Sequence, residues 1–205
     1  MLLERDDINP DTPDGSNRTP LLCAAENGHG EVVKIILRRK DANPDKRGIY
    51  GRTPFWSAAY YGHEEVVKIL LGRDDVNLNR GDINLRTPLW SAAQNGHEEV
   101  VKILLRRDDI SPDTPDIKGQ TPLWGAAENG HEGVVKILLG RDDVDPDKPN
   151  IHGQTPLSCA ISAGHAGVIA LLRPPARDLR YSIISLPLPI TDNLCTVSPS
   201  TAPVP

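Results

Sequence analysis

Apolar and polar residues alternate along the chain in a pattern that predicts pairs of short helices. Between residues 87 and 96, Leu89, Ala92 and Ala93 fall at i, i+3 and i+4, which is one narrow apolar stripe of a helix. In the helix that follows, Lys102 faces water and the aliphatic residues turn inward. The inward positions are Val100, Val101, Ile103, Leu104 and Leu105. The pattern therefore predicts two amphipathic helices joined by a tight turn.

The residues around these stripes mark where each helix begins and ends. Thr87 is suited to cap a helix N-terminus, and Pro88 fits the first helical position, where its missing N–H costs nothing. Gly96 supplies the left-handed backbone that ends the first helix. Glu98 and Glu99 then lie at the positive end of the second helix, where negative charge is favourable.

The same signals recur with a fixed period. Thr-Pro occurs five times, each 34 residues after the one before, at Thr19-Pro20, Thr53-Pro54, Thr87-Pro88, Thr121-Pro122 and Thr155-Pro156. Gly-His follows the same step, at Gly28-His29, Gly62-His63, Gly96-His97, Gly130-His131 and Gly164-His165. Such a period marks an array of supersecondary units, each too small to bury its own apolar face alone.

These units must stack to be stable, because ordering the backbone of 34 residues costs more free energy than burying the aliphatic side chains of one unit provides. We therefore predict an all-α solenoid of stacked helix-turn-helix units connected by hairpin or loop fingers. Residues 1–18 are expected to hold a partial repeat and a finger, residues 19–172 the repeat array, and residues 173–205 a tail. The tail contains seven prolines, a composition typical of disordered or extended chain, although its segment 181–186 is apolar enough to fold back over the last repeat.

The residues distinguish between helical-repeat families that share a period near 34. The run TPLWGAAENGH at 121–131, followed by VVKILL at 134–139 and Asp143-Val144, closely resembles the ankyrin repeat. The resemblance covers residues 1 to about 172. Nearly uniform arrays of this kind are similar to those of fungal NACHT-type immune receptors, where ankyrin units would act as the sensing part. The chain begins near the end of a second helix, which suggests a fragment of a longer array.

Two departures from the ankyrin pattern carry expectations of their own. Trp56, Trp90 and Trp124 replace the usual His after Thr-Pro-Leu, and their rings either fill space between helices or line a groove. The glycine expected two residues before the Thr is Leu85 in the third copy, and leucine does not tolerate a left-handed backbone. We therefore predict that the finger before Thr87 is strained or differently folded.

Composition narrows the classes of function. Lys and Arg total 23 against 28 Asp and Glu, and this net charge of -5 argues against a nucleic-acid binder and disfavours acidic or phosphate-bearing partners. The chain shows neither a membrane-spanning stretch nor the plan of a signal peptide. Cys23, Cys159 and Cys195 form no paired framework, so we expect an intracellular protein, cytoplasmic or nuclear.

The sequence gives little support for metal binding or catalysis. The Gly-His histidines repeat at the spacing of the stacked units, about 10 Å, so no two can share a metal, and structural hydrogen bonding near the helix start is expected instead. Asp142, Asp143, Asp145 and Asp147 lack the spacing of a calcium loop and follow Arg141, which indicates solvated turns with local ion pairing. Catalytic and phosphate-binding motifs are absent from the sequence. We expect no metal, no cofactor and no enzymatic activity.

Positions that vary between otherwise constant copies point to partner binding. In the ankyrin family such positions lie at the finger tips and at the exposed end of the first helix of each repeat. Mapped onto this chain, they are Tyr50, Arg52, Tyr60, Tyr61, Asn84, Arg86, Gln94, Asn95, Lys118, Gln120, Glu128, Asn129, His152 and Gln154. Tyr50, Tyr60 and Tyr61 in one copy suggest a hot spot, because tyrosine gives large contact area at little entropic cost.

The resemblance thus implies a monomeric scaffold that binds another protein through its concave face and finger tips. The alternative is a non-binding piece, either an array fragment or a structural spacer from a larger ankyrin receptor. A partner pull-down with these tyrosines replaced distinguishes the two.

Overall fold

The computed structural model describes residues 9–173, and this part of the chain is all-helical. The fold is the predicted solenoid of stacked helix-turn-helix units. The first helices of the five repeats are α1 (Pro20–Glu26), α3 (Pro54–Tyr61), α5 (Pro88–Gln94), α7 (Pro122–Glu128) and α9 (Pro156–Ala163). The second helices are α2 (Gly30–Leu37), α4 (Glu64–Leu71), α6 (Glu98–Leu104), α8 (Glu132–Leu139) and α10 (Ala166–Leu172). A short 3-10 helix, Ile49–Gly51, lies in the second finger.

The predicted helix boundaries are confirmed at atomic detail. Each first helix starts with Pro after a Thr whose hydroxyl oxygen accepts a backbone N–H three residues on, as Thr87 does from Trp90. Each first helix is followed by a left-handed glycine, for example Gly96 with φ of +74°. These caps satisfy polar groups that a two-turn helix would otherwise leave free at its ends.

The helices pack in two rows, since each first helix contacts the first helix of the next repeat and each second helix contacts its own counterpart. One continuous apolar core runs through the described repeats. In the third repeat Leu89, Ala92, Ala93, Val100 and Leu104 are buried, as predicted. The small alanines let neighbouring first helices approach closely, so burial is shared between adjacent repeats rather than gathered at one centre.

The tryptophan column belongs to this packed interior. Trp56, Trp90 and Trp124 are 2%, 1% and 4% exposed, so the rings fill space between helices rather than line an open groove. The indole N–H of Trp56 donates to the carbonyl oxygen of Arg86 at 2.7 Å, and that of Trp90 donates to Gln120 at 2.9 Å. Each of these bonds crosses to the finger of the next repeat.

The Gly-His histidines also join adjacent repeats. Nε2 of His63, His97, His131 and His165 donates to a backbone carbonyl of the preceding repeat, 37 positions earlier and 2.9 Å away in each case. The expected structural hydrogen bonding is confirmed. Its acceptor, however, is the last turn of the neighbouring first helix.

Expectations about the two ends lie outside the described residues. They concern residues 1–8, expected to hold the end of a second helix, and residues 174–205, expected to form the proline-rich tail with its apolar segment.

The finger before Thr87 is strained, as predicted. Leu85 has a φ of +61°, the left-handed region in which its side chain crowds the following carbonyl. The finger nevertheless keeps the same closing bonds as its neighbours, with the N–H of Asp82 donating to Arg86 and the N–H of Leu85 donating to Asp82. Strain is therefore accepted at Leu85 rather than relieved by refolding.

Replacing Leu85 by glycine is expected to stabilise the protein by about 0.5 to 1 kcal/mol. The change removes roughly 1–2 kcal/mol of left-handed strain and costs ~0.5–1 kcal/mol through the greater freedom of glycine in the unfolded chain. Little burial is lost, because Leu85 is 60% exposed. Urea unfolding measures the gain. Leu85→Ala, which keeps the Cβ, is the control, and a glycine variant less stable than the parent contradicts the prediction.

Candidate protein-binding surface

The fingers are tight loops closed by one acidic or amide side chain. The carboxylate oxygen Oδ1 of Asp82 accepts the backbone N–H groups of Asn84 and Arg86, and Asp116 accepts those of Lys118 and Gln120 in the same way. Asp14 and Asn150 hold the first and last fingers through equivalent pairs of bonds. In each of these fingers, an Asp or Asn lies four positions before the residue that precedes the capping Thr. Its side chain therefore closes the turn.

The second finger lacks this anchor, because Gly48 occupies the equivalent position. Its backbone folds instead into the 3-10 turn at 49–51, within which Tyr50 has φ of +63° and ψ of +14°. A left-handed tyrosine costs about 1–2 kcal/mol, and such outliers concentrate at functional sites. The strained turn carries the Tyr50 side chain, which is 60% exposed.

Four of the predicted site residues meet around this finger. The Arg52 guanidinium carbon lies 5.5 Å from the ring centroid of Tyr50 and 5.3 Å from that of Tyr60. Tyr60 in turn contacts Tyr61 edge to face, with centroids 4.9 Å apart. We call these four residues, together with Trp56, the repeat-two cluster. Tyr61 is 46% exposed, so the cluster presents two tyrosine rings to solvent.

Buried Trp56 forms the floor of the repeat-two cluster. Its ring stacks on Tyr60 with a centroid distance of 5.1 Å and an interplanar angle of 13°. It also lies 4.6 Å from the Arg52 guanidinium carbon on the ring face, a cation–π geometry. The cluster is thus anchored to the core and preorganised before any partner arrives.

The remaining predicted residues occupy the same face but are not brought into one cluster. Arg86 stacks on Trp90 at 4.6 Å, as Arg52 does on Trp56. The side-chain amides of Asn95 and Asn129 donate to carbonyls of their own helices, to Ser91 and Gly125, so they serve as helix caps. Asn84, Gln94, Lys118, Gln120, Glu128, His152 and Gln154 are spread along the finger tips and first helices of repeats three to five. Of these, Lys118, Glu128, His152 and Gln154 are exposed.

An exposed row of isoleucines on the fingers was missed by the sequence reasoning. Ile49, Ile83, Ile117 and Ile151 occupy the same finger position in four successive repeats and are 46%, 62%, 52% and 67% exposed. Adjacent fingers are joined there by single backbone bonds, such as the N–H of Ile83 donating to Tyr50 at 2.9 Å. The signal was present in the sequence as an apolar residue recurring every 34 positions within loops that are otherwise polar.

The acidic turns between repeats are ion-paired, as predicted. Arg73, Arg107 and Arg141 each form a salt bridge of 2.7–2.8 Å to the aspartate two residues later. Hydrogen bonds from Arg73 lower the pKa of Asp75 below its usual value. Among residues 9–173 no group of three or more His, Cys, Asp or Glu is arranged to hold a metal ion.

The two cysteines in the described range are free thiols. Burial raises the pKa of Cys159 to about 11, which keeps it protonated and unreactive at neutral pH. Burial also raises the pKa of Cys23. Neither thiol lies in an environment that would activate a nucleophile.

The stacked helix pairs, the capped first helices and the finger loops define a helical-repeat solenoid. The family model described as ankyrin repeats (3 copies) matches residues 1–82, 40–116, 78–150 and 109–181. The chain therefore belongs to the ankyrin repeat family, whose members are generally protein–protein interaction modules rather than catalysts. A search of curated proteins finds no match. Within residues 9–173, every helix is too short or too polar to cross a bilayer.

Proposed function

We propose that this chain binds another protein through the face formed by its finger tips and the exposed ends of its first helices, with the repeat-two cluster as the centre of the contact. The observation that carries the proposal is the exposed pair Tyr50 and Tyr61, which contact Arg52 and Tyr60, the two side chains that stack on buried Trp56. Fixed aromatic rings lose little entropy on binding and dominate the energetics of interfaces.

Strain in the second finger supports the same assignment. Tyr50 is left-handed and 60% exposed, as Leu85 is, but its strained turn presents an aromatic ring that packs against Arg52 of the cluster. The exposed isoleucine row extends the apolar surface from this finger across three further repeats, so a partner lying along the fingers would meet apolar contacts at regular steps. The array itself needs no chemistry to do this, and we place its action inside the cell, as a monomer.

A pull-down with a triple variant, Tyr50→Ala, Tyr60→Ala and Tyr61→Ala, tests the proposal. We expect the parent to capture a protein that the triple variant does not, because removing three rings takes away the central contact area. Circular dichroism confirms that both remain folded. A variant carrying Val32→Ala and Ile161→Ala removes exposed apolar atoms elsewhere and is expected to bind as the parent does. If parent and triple variant recover the same proteins, the proposed site is wrong. A parent that captures no protein favours the structural spacer.

A further inference from the structure

Arg52 is a charged side chain held in place by aromatic rings on the proposed binding face. Its guanidinium contacts the rings of Tyr50, Trp56 and Tyr60, with carbon-to-centroid distances of 4.6–5.5 Å. Trp56 and Tyr60 are themselves stacked, so the planar cation is positioned by the core through two fixed rings. A guanidinium held in this way has already lost most of its rotamer freedom. Forming a salt bridge therefore costs it little further entropy.

This cation has no acidic partner within the described part of the chain. Arg18, at the same position of the first repeat, pairs with Asp14 at 2.8 Å and with Glu26 at 3.7 Å. Arg86, in the third repeat, lies 3.9 Å from the carboxylate of Asp116. No carboxylate among residues 9–173 lies within 4.0 Å of Arg52, and its Nε is buried without an acceptor.

The second finger lacks the carboxylate with which Arg18 pairs in the first. The partner of Arg18 is the aspartate four residues before it, and the residue four before Arg52 is Gly48. Glycine at position 48 therefore accompanies both the left-handed Tyr50 and the absence of such a carboxylate beside Arg52.

Two further arginines lie on this part of the face. Arg47 lies along the same finger, donating to the carbonyl oxygens of Gly51 and Gly81, and Arg86 lies at the equivalent position of the next repeat. Repulsion expected from a net charge of -5 is screened beyond about 10 Å, so the local basic group decides what binds here.

We propose that Arg52 receives a side-chain carboxylate of the partner, and that this partner presents an acidic segment with apolar residues beside the acid. The inference rests on the proposed function and adds the chemistry of its ligand. The two terminal nitrogens of the guanidinium bind the two carboxylate oxygens in the planar, bidentate mode, and Tyr50 and Tyr61 pack against the apolar neighbours. At the same position Gln120 and Gln154 in repeats four and five offer no charge, so the acid is selected at repeat two.

Random peptides displayed on phage test the proposal without knowledge of the natural partner. Peptides are selected on the parent protein and counter-selected on the triple tyrosine variant, which keeps only those that use the repeat-two cluster. We expect the retained peptides to be enriched in Asp or Glu beside apolar residues. A selected peptide is then synthesised in two forms, with its acid and with the matching amide, Asp→Asn or Glu→Gln.

Both peptides are titrated against the parent and against Arg52→Gln, which introduces the residue that repeats four and five already tolerate. Hydrogen bonds to charged groups are worth enough that either single change should weaken binding about tenfold to a hundredfold. The two changes together should weaken it little further, because they remove the same interaction. Arg107→Gln, at an exposed arginine paired with Asp109 in a turn between repeats, is the matched control and should bind the acidic peptide as the parent does.

The outcomes separate this inference from the proposed function. Retained peptides without acid enrichment, or acid and amide forms that bind Arg52→Gln and the parent equally well, would overturn the role of Arg52 and leave the binding face intact. Failure to retain any peptide that depends on Tyr50, Tyr60 and Tyr61 would overturn the proposed function and this inference with it.

Discussion

Replacing Trp90 by alanine is expected to lower the free energy of unfolding by about 3–5 kcal/mol, the usual cost of emptying a buried tryptophan site. The ring is 1% exposed, and its indole N–H donates to the carbonyl oxygen of Gln120 at 2.9 Å. It also reaches the next repeat, since a Cβ built on Gly125 would lie 3.7 Å from its ring. The substitution therefore leaves a cavity and removes one hydrogen bond at the junction of repeats three and four.

Urea unfolding followed by circular dichroism measures this loss of stability, and the steepness of the unfolding transition gives a second measurement. Stability in a stacked array is a sum of repeat and nearest-neighbour terms, so a weakened central junction should let the two halves unfold less cooperatively. We expect a lower midpoint together with a smaller slope.

Two conservative variants separate ring packing from the hydrogen bond. Trp90→Phe keeps most of the ring and loses the bond to Gln120, which costs roughly 0.5–1.5 kcal/mol because the carbonyl oxygen still accepts the N–H of Asp116. Trp124→Phe should cost less, because the buried indole nitrogen of Trp124 has no acceptor in the described structure. A loss below about 1 kcal/mol for Trp90→Ala would show that the ring is not part of the core.

Features set by neighbouring residues were predictable from the sequence. The caps at Thr87 and Gly96, the buried stripe around Ala92 and the strain at Leu85 each depend on a few adjacent positions, and all four are confirmed. The sequence predicted that the Gly-His histidines form structural hydrogen bonds, but it did not predict their acceptors. Their acceptors lie 37 positions away, which only the stacking distance of the helices determines.

The chemistry of the binding face was harder to read. Tyr50, Arg52, Tyr60 and Tyr61 were identified because they vary between copies, but their assembly depends on Trp56 lying flat beneath them. The second finger departs from the others because one residue, Gly48, lacks a carboxylate. That signal was visible as a missing Asp or Asn at a fixed step before Thr-Pro. Its effect on the Tyr50 backbone could not be deduced from the sequence, because the sequence does not show that the Asp or Asn side chain at this step closes the finger.

The glycines that precede the histidines give a second large prediction, and the chain supplies its own control. Gly96 has φ of +74°, and a Cβ there would lie 2.6 Å from Nδ1 of His131, whose Nε2 donates to the carbonyl oxygen of Gln94. Gly164 has nearly the same φ, +77°, but a Cβ there would meet nothing within 4 Å. The two glycines therefore share a backbone conformation and differ in whether a histidine ring of the next repeat packs against them.

Gly164→Ala should cost roughly 1–2 kcal/mol, the backbone strain of a left-handed alanine. Gly96→Ala carries the same strain and must also displace the His131 ring, which breaks a bond between repeats and adds about 1–3 kcal/mol. Urea unfolding of the two variants beside the parent gives the difference directly, and NMR of the His131 ring reports whether its bond is lost. Equal losses at the two sites would mean that the histidine yields freely, and that the column of Gly-His pairs ends helices without joining one repeat to the next.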